Sequence, residues 1–181
     1  PPMWKLDWYG LDETYEWIRR MRDTPQSPSY HAEGDVWIHT RMVVEELIAA
    51  PAWRMLEPAE RELVFAATVL HDVGKPATTR VEGGHITSRG HSGKGARMAR
   101  RILWEMGFPP ELREAIAALI RYHQLPYYLI DRNDGRRMAH EISQTARADY
   151  LTILAEADVR GRICRDLPRL LDNIALFADF C

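Results

Sequence analysis

The chain has 181 residues, of which 46% are hydrophobic and 28% charged, and its formal net charge is −2. This composition is typical of a folded globular protein rather than a disordered one, and the length predicts a single domain over residues 1–181. The small net charge argues against a protein whose whole surface binds nucleic acid, but it allows a local basic patch.

The cysteine count and the hydropathy pattern bear on where in the cell the protein is expected to be. Cys164 and Cys181 are the only cysteines, which is too few for a disulfide framework and fits a reducing environment. No apolar run approaches the roughly 18 residues of a membrane span, and no signal-peptide pattern opens the chain. We therefore predict a cytoplasmic protein without a membrane partner.

The first half of the chain has a helical period. Asp12 is expected to cap a helix over residues 13–23, and Asp35 is expected to cap a second helix that Pro51 ends. Pro58 suits the first turn of a third helix, because the N–H that proline lacks is not needed there.

The helical period is lost between Gly74 and Gly90. The pair Gly83–Gly84 favours a short β-hairpin near residues 79–88. Further helices and one turn are predicted beyond it: helices at 91–106, 110–123, 147–164 and 167–181, and a turn at 131–137. The fold class is therefore all-α. The last helix stays amphipathic to its end without a stop signal, which fits either an excised domain of a longer protein or a tail helix packed across the core.

Several histidines and aspartates lie on the apolar faces of these helices or at their ends. Residues three, four and seven apart share a helix face, so a polar residue within an apolar stripe points inward. The set is His39, His71, Asp72, His91, His123 and Asp158. The other histidines have no such stripe and are predicted to be surface or loop residues: His31, His85 and His140.

A divalent cation would satisfy this set together. One buried histidine is usually a core residue bonded to a carbonyl, and one inward aspartate is usually paired, but six such residues on five helices favour a shared partner. Imidazole and carboxylate ligands suit Zn, Mn, Fe, Co or Ni. Six ligands exceed what one ion usually takes while it keeps positions open for substrate, so we predict two divalent transition metal ions.

The order of these residues resembles a known family. His39, then His71-Asp72 within "HDVGK", then Asp158 on a later helix is similar to the H…HD…D pattern of the HD-domain metal-dependent phosphohydrolases. The resemblance covers nearly the whole chain and implies a compact helical bundle. His91 and His123 resemble the extra pair that binds a second metal in dinuclear members. The implied sets are His39, His71, Asp72 and Asp158 for one ion, and His91, His123 and a bridging Asp72 for the other.

The segment "HDVGKPATT…GHITSRGHSGKGA" looks most like two groups of HD domains. One belongs to bacterial CCA-adding tRNA nucleotidyltransferases, and the other is fused to polynucleotide kinases in RNA end-healing proteins. The resemblance implies hydrolysis of 2′,3′-cyclic phosphates or of 2′- or 3′-phosphates on nucleotides or RNA ends, through a metal-activated water. It also implies a fused kinase or nucleotidyltransferase domain in the full-length protein.

Three further residues are predicted to act at the site, besides a catalytic role for Asp72. Lys75 is expected to contact a phosphate oxygen or protonate the leaving oxygen, with a solvated loop lysine as the alternative. Arg162 is expected to bind phosphate, or else to pair with Asp158 or Asp166. Ser92, at a helix start beside a ligand, is expected to help bind phosphate.

The sequence leaves two alternative functions open. The chain resembles an enzyme of the kind described above. The alternatives are a nucleoside monophosphate nucleotidase with one metal ion and a non-catalytic HD module that binds nucleotide or RNA.

A basic run follows His91. Its residues Arg97 and Arg101 lie away from the apolar stripe of their helix. They are expected to face solvent, or to touch the backbone of an RNA end.

Overall fold

The computed structural model describes residues 4–181, which contain ten α-helices and one two-stranded sheet. The predicted all-α fold with one small hairpin is therefore confirmed. None of the described helices is long and apolar enough to cross a membrane. The helices are α1 (Trp8–Thr14), α2 (Glu16–Arg19), α3 (Val36–Ala49), α4 (Pro51–Arg54), α5 (Pro58–Leu70), α6 (His91–Glu105), α7 (Pro110–Tyr122), α8 (Gly135–Ser143), α9 (Ala148–Arg160) and α10 (Leu167–Phe180). The strands are β1 (Arg80–Glu82) and β2 (His85–Thr87).

Two helix starts form as the sequence predicts. The Asp35 carboxylate accepts a hydrogen bond from the Ile38 N–H at 2.8 Å, so it caps α3. Pro58 begins α5, and the side chains of Glu57 and Glu60 complete a capping box around it. Both caps hold helices that end at or contain predicted site residues.

Two local predictions are wrong. Asp12 lies inside α1 and caps nothing, because Asp7 accepts from the Gly10 N–H at 3.1 Å and starts the helix earlier. The predicted turn at 131–137 forms only over residues 131–134, and residues 135–137 begin α8, a helix that the sequence pattern did not predict. Its apolar stripe has only three residues, Met138, Ala139 and Ile142, which is too short a pattern to identify a helix.

The hairpin forms around the predicted glycine pair. Gly83 and Gly84 both have positive φ, +56° and +78°, as the tightest hairpin turns require. The hydroxyl groups of Thr79 and Ser88 are 2.8 Å apart and close the base of the hairpin. The strand residues of β1 are exposed, so the hairpin projects from the bundle.

The helices α3, α5, α7 and α9 form the centre of the bundle, and α6 packs along α7. The end of α5 meets the start of α6 at Gly74, immediately after the HD pair. A Cβ atom at Gly74 would lie only 2.6 Å from the Gly95 nitrogen, so the two backbones touch and only glycine fits. This contact brings Asp72 next to His91.

Candidate metal centre

Six predicted ligands converge in the core from five elements. His39 lies within α3 and Asp158 within α9, and His91 is the first residue of α6. The remaining three, His71, Asp72 and His123, follow the last residues of α5 and α7. His91 is 7% exposed and none of the others exceeds 1%. The structure therefore brings all six together, as the sequence analysis expected.

The Asp72 carboxylate faces two groups of histidines. Its Oδ2 atom lies 3.2 Å from His71 Nε2 and 3.6 Å from His39 Nε2. Its Oδ1 atom lies 3.4 Å from His91 Nε2 and 3.9 Å from His123 Nε2. We call His39 and His71 the first half of the centre, and His91 and His123 the second half; Asp72 lies between them.

The tautomers of three histidines are fixed by the backbone. Each donates its Nδ1–H to a carbonyl oxygen at 2.7–2.8 Å, and because a carbonyl only accepts, the lone pair must lie on Nε2. The donors are His71, His91 and His123, and the acceptors are Thr68, Ser88 and Ile120.

The atoms that face the centre lack hydrogen-bond partners. Among the described residues, nothing bonds the Nε2 atoms of His71, His91 and His123 or the Asp72 Oδ1 atom, although all are buried. Buried polar atoms without partners are rare and costly. Two ligand atoms in neighbouring positions on an ion, each about 2.1 Å from it, are about 3 Å apart. The spacings around Asp72 therefore fit a divalent cation in each half.

The electrostatics favour the ligand forms of most of these groups. Burial and the neighbouring His71 lower the pKa of His123 to about 3, so its imidazole is neutral. Burial also lowers the pKa of His91, despite the nearby Asp72. Burial opposes ionisation of Asp72, but Lys75 and His71 outweigh it and hold the pKa of this carboxyl well below its usual range. A neutral imidazole and an ionised carboxylate are what a cation needs.

His71 differs from the other histidines. Burial disfavours its protonation, but the Asp72 charge outweighs that effect and raises the pKa of this imidazole. A proton and a metal ion therefore compete for the same nitrogen.

Asp158 lies beside the first half but is already bonded. Its Oδ1 atom is 3.0 Å from His39 Nε2, and Arg162 donates to both of its oxygens, at 3.0 and 2.8 Å. The Tyr127 hydroxyl donates to the Oδ2 atom as well. Burial opposes ionisation of Asp158, yet Arg162 and His39 keep the pKa of its carboxyl well below the usual value. Pairing of Arg162 with Asp158, one of the predicted alternatives, is thus present.

Lys75 is buried at the first half. Its Nζ atom donates to Asp72 Oδ2 at 2.7 Å and to Gln26 Oε1 at 2.6 Å, and only 4% of the residue is exposed. This excludes the solvated loop lysine. Ser92 is the second residue of α6 and is partly exposed, with no side-chain hydrogen bond to a described residue. The phosphate-binding roles of Lys75, Arg162 and Ser92 stay predictions.

Sequence reasoning missed a third carboxylate, Glu33. Its Oε1 atom lies 2.9 Å from His39 Nδ1, in a bent contact, and 2.8 Å from His31 Nδ1. Its Oε2 atom accepts from the Ile163 N–H at 2.9 Å, close to Arg162 in the chain. Glu33 thus connects the loop before α3 with the residues that follow α9. It lies at the Nδ1 side of the His39 ring, and Asp72 lies at the Nε2 side. If a cation took the place of the proton on His39 Nε2, Glu33 would be the acceptor for the Nδ1–H of the remaining tautomer.

The prediction for His31 as a surface or loop residue needs correction. It lies in a loop, but its side chain is only 10% exposed and its ring centroid is 4.6 Å from that of His39. Burial lowers the pKa of His31 to about 4, despite its hydrogen bond to Glu33. The segment has no periodicity, so only the short spacing of His31, Glu33 and His39 in "HAEGDVWIH" indicated this cluster.

This chain is similar to several known proteins, among them the following three. The bifunctional uridylyltransferase/uridylyl-removing enzyme of Bradyrhizobium diazoefficiens is 31% identical over 125 residues, 66% of this chain and 12% of that protein. The multifunctional CCA protein of Acidovorax sp. (strain JS42) is 29% identical over 158 residues, 81% of this chain and 33% of that protein. The CC-adding tRNA nucleotidyltransferase of Thermus thermophilus is 40% identical over 90 residues, which are 48% of this chain and 19% of that protein. The chain thus spans a third or less of the length of these relatives.

The family comparison agrees with the geometry. The family model described as "HD domain" matches residues 36–156, a range that contains both halves of the centre and Asp72. The expected resemblance to HD domains of CCA-adding enzymes is confirmed, while the uridylyl-removing relative was not among the groups that the sequence analysis weighed. With two-thirds of its residues matched and its HD pair buried among converging histidines, this chain belongs to the HD domain family, a superfamily of metal-dependent phosphohydrolases.

Proposed function

We propose that this chain hydrolyses phosphate esters at the ribose 2′ and 3′ positions, as 2′,3′-cyclic phosphates or as 2′- or 3′-phosphomonoesters of nucleotides or RNA ends. The observation that carries the proposal is the position of Asp72, whose two oxygens face two separate pairs of histidines. Two divalent ions held there (Mn, Co, Ni, Fe or Zn) would polarise a phosphoryl group and supply a water that is acidic enough to act near neutral pH.

The chain's own residues have separate tasks in this proposal. Asp72 joins the halves. Lys75, whose Nζ is 2.7 Å from Asp72, contacts a phosphate oxygen or gives a proton to the leaving ribose oxygen in this proposal. Arg162 holds Asp158 in place and also donates to the Tyr127 hydroxyl, so in this proposal its Nη1 atom is the one that binds phosphate. Ser92 and the free N–H groups at the start of α6 bind phosphate oxygens.

The charge at the centre favours a substrate with a single phosphate. In the described part of the chain, Lys75 and Arg162 are the cations bonded to the central carboxylates, and each is neutralised by its partner. A triphosphate brings more negative charge, and its binders supply a glycine-rich cradle or several further cations. We therefore infer that nucleoside triphosphates are poor substrates.

The relatives support an RNA substrate and a neighbouring domain. Two of them are named as a CCA protein and a CC-adding tRNA nucleotidyltransferase, and each is at least three times as long as its matched part. We propose that residues 1–181 form one HD phosphohydrolase domain, with a nucleotidyltransferase or polynucleotide kinase domain beside it in a longer protein.

One side-by-side rate comparison tests the substrate class. The substrates are 2′,3′-cyclic AMP, 2′-AMP, 3′-AMP, 5′-AMP, dATP and guanosine tetraphosphate, each with the same added Mn²⁺ and with an Asp72→Ala control. We expect the three 2′- and 3′-substituted compounds to react fastest. A clear preference for dATP or guanosine tetraphosphate would contradict the proposal, and a preference for 5′-AMP with one ion per chain would favour the nucleotidase.

A second candidate is removal of a uridylyl group. The uridylyl-removing relative, 31% identical over 66% of this chain, favours it. Such a group is held by a phosphodiester bond, which the same centre could hydrolyse. The p-nitrophenyl ester of UMP tests it against bis-p-nitrophenyl phosphate, which has the same leaving group, and clearly faster release of p-nitrophenol from the UMP ester would favour uridylyl removal. No turnover of any compound would indicate a non-catalytic module.

A further inference from the structure

We propose that the groove between α6 and α7 binds the sugar–phosphate backbone of the RNA strand that leads to the reacting 3′ end. This rests on the proposed function, because it places the end of the strand in the metal centre. The groove has a volume of about 700 Å³. Small residues from both helices form its floor, among them Gly93, Ala96 and Ala118, so a polymer chain can approach the helix backbones closely.

Two arginines in the groove have no acidic partner. Arg97 and Arg121 both line it, and no carboxylate of the described residues lies within 4.0 Å of either guanidinium. Arg100, by contrast, is paired with Glu114 at 2.7 Å. Unpaired guanidinium groups attract phosphate and release its counterions, whereas a paired one has its charge already neutralised.

The groove is lined by residues that adjoin the second half of the centre in the chain. Its residue Gly90 directly precedes His91, and Arg121 stands two residues before His123. Among the six predicted ligands, His91 alone is exposed by more than 1%. A strand whose last phosphate reaches the second half of the centre therefore continues along the groove.

The Arg121 guanidinium lies over the first turn of α6. A Cβ atom at Gly93 would be 3.2 Å from one of its nitrogens, so the two groups are adjacent. The first N–H groups of α6 lack helical partners and its start carries a partial positive charge. Arg121 thus stands beside the helix start on the groove side, where it suits the phosphodiester group that precedes the reacting phosphate in the strand.

Charge reversal of both arginines tests the groove. The variant carries Arg97→Glu and Arg121→Glu, and the matched control is Arg101→Glu, an exposed α6 arginine that pairs with Glu105 and does not line the groove. The substrates are 2′,3′-cyclic AMP and a short RNA ending in a 2′,3′-cyclic phosphate. We expect kcat/KM for the RNA to fall about tenfold or more, while that for the mononucleotide stays within about twofold.

Binding is measured separately, by fluorescence anisotropy with a labelled RNA that ends in a 3′-phosphate. Loss of two phosphate contacts should make the dependence of log K on log[salt] shallower by about 1.4. An equal effect of Arg101→Glu, an unchanged RNA affinity, or an equal loss of activity on the mononucleotide would overturn the proposal. If circular dichroism shows the double variant unfolded, single Arg97→Gln and Arg121→Gln variants provide the same comparison.

The two proposals can fail separately. If the wild-type protein hydrolyses neither substrate, the proposed function fails, but the anisotropy comparison still tests the groove. If it hydrolyses both and the arginine variant matches the wild type on RNA, only the groove proposal fails.

Discussion

The two halves of the metal centre differ in what surrounds their histidines. In the first half, His39 has Glu33 behind it, and Lys75 and Arg162 hold the carboxylates that face it. In the second half, both Nδ1 atoms are held by neutral backbone carbonyls, whereas in the first half only that of His71 is, and His91 is 7% exposed. Charged partners fix ligands more firmly and raise their basicity. We therefore expect the first ion to bind more tightly and the second to exchange more readily.

The largest effect should come from the residue that both halves share. Asp72→Ala should lower phosphoesterase activity by orders of magnitude and reduce the metal content of the folded chain, because both ions lose a ligand. His71→Ala should have a similar effect on activity, because the first ion loses a ligand. Release of p-nitrophenol from bis-p-nitrophenyl phosphate, metal analysis and circular dichroism measure this. Asp172→Ala, on an exposed face of α10, is the matched control. Near-normal turnover of either variant would disprove the metal centre.

Changes in the second half should reduce the centre to one ion. His91→Ala and His123→Ala should each lower the metal content toward one ion per chain, and the double variant should be little worse than either single variant. The reason is that one missing ligand already empties this half. Metal analysis after dialysis, together with kcat, gives the comparison. Independent, additive losses would indicate that these histidines contact the substrate instead.

A smaller effect should follow from a change behind the first half. Glu33→Gln keeps an oxygen for the Ile163 N–H but removes the charge beside His39, so affinity for the first ion should fall roughly 10–100-fold. Titration with Mn²⁺ should show this loss in one of the two binding steps only. Glu45→Gln, exposed on α3, is the control. A loss of affinity in both binding steps, or in neither, would show that Glu33 does not act on the first ion.

The smallest effect concerns how the two halves are anchored. Asp35 caps α3, the helix of His39, whereas α6, the helix of His91, begins at Gly90 without a side-chain cap. Asp35→Ala should lower the free energy of unfolding by about 1 kcal/mol, with metal content unchanged. Urea unfolding of the metal-free protein measures it. If the variant instead loses bound metal, Asp35 supports the metal centre and is not only a helix cap.

The sequence predicts what local patterns determine. The six predicted ligands lie on apolar stripes or at helix ends, so period and order identified them. Glu33, Gln26 and Tyr127 were missed because they lie outside long helices and reach the centre through contacts distant in the chain, such as Tyr127 with Asp158. Asp7 and Asp12 are the same residue type, so composition does not tell which of them caps the helix. The structure tells them apart, because the Gly10 N–H donates to Asp7.

The contact between Gly74 and α6 uncouples the length of a loop from the positions of the residues that flank it. Because two touching backbones fix the distance from Asp72 to His91, the hairpin between them does not set it. At its turn, no heavy atom of the described residues lies within 4 Å of a Cβ built on Gly83 or Gly84. We therefore expect this turn to tolerate an inserted peptide or a fluorophore. It offers a place for a reporter a short distance from the centre that leaves the ligands where they are.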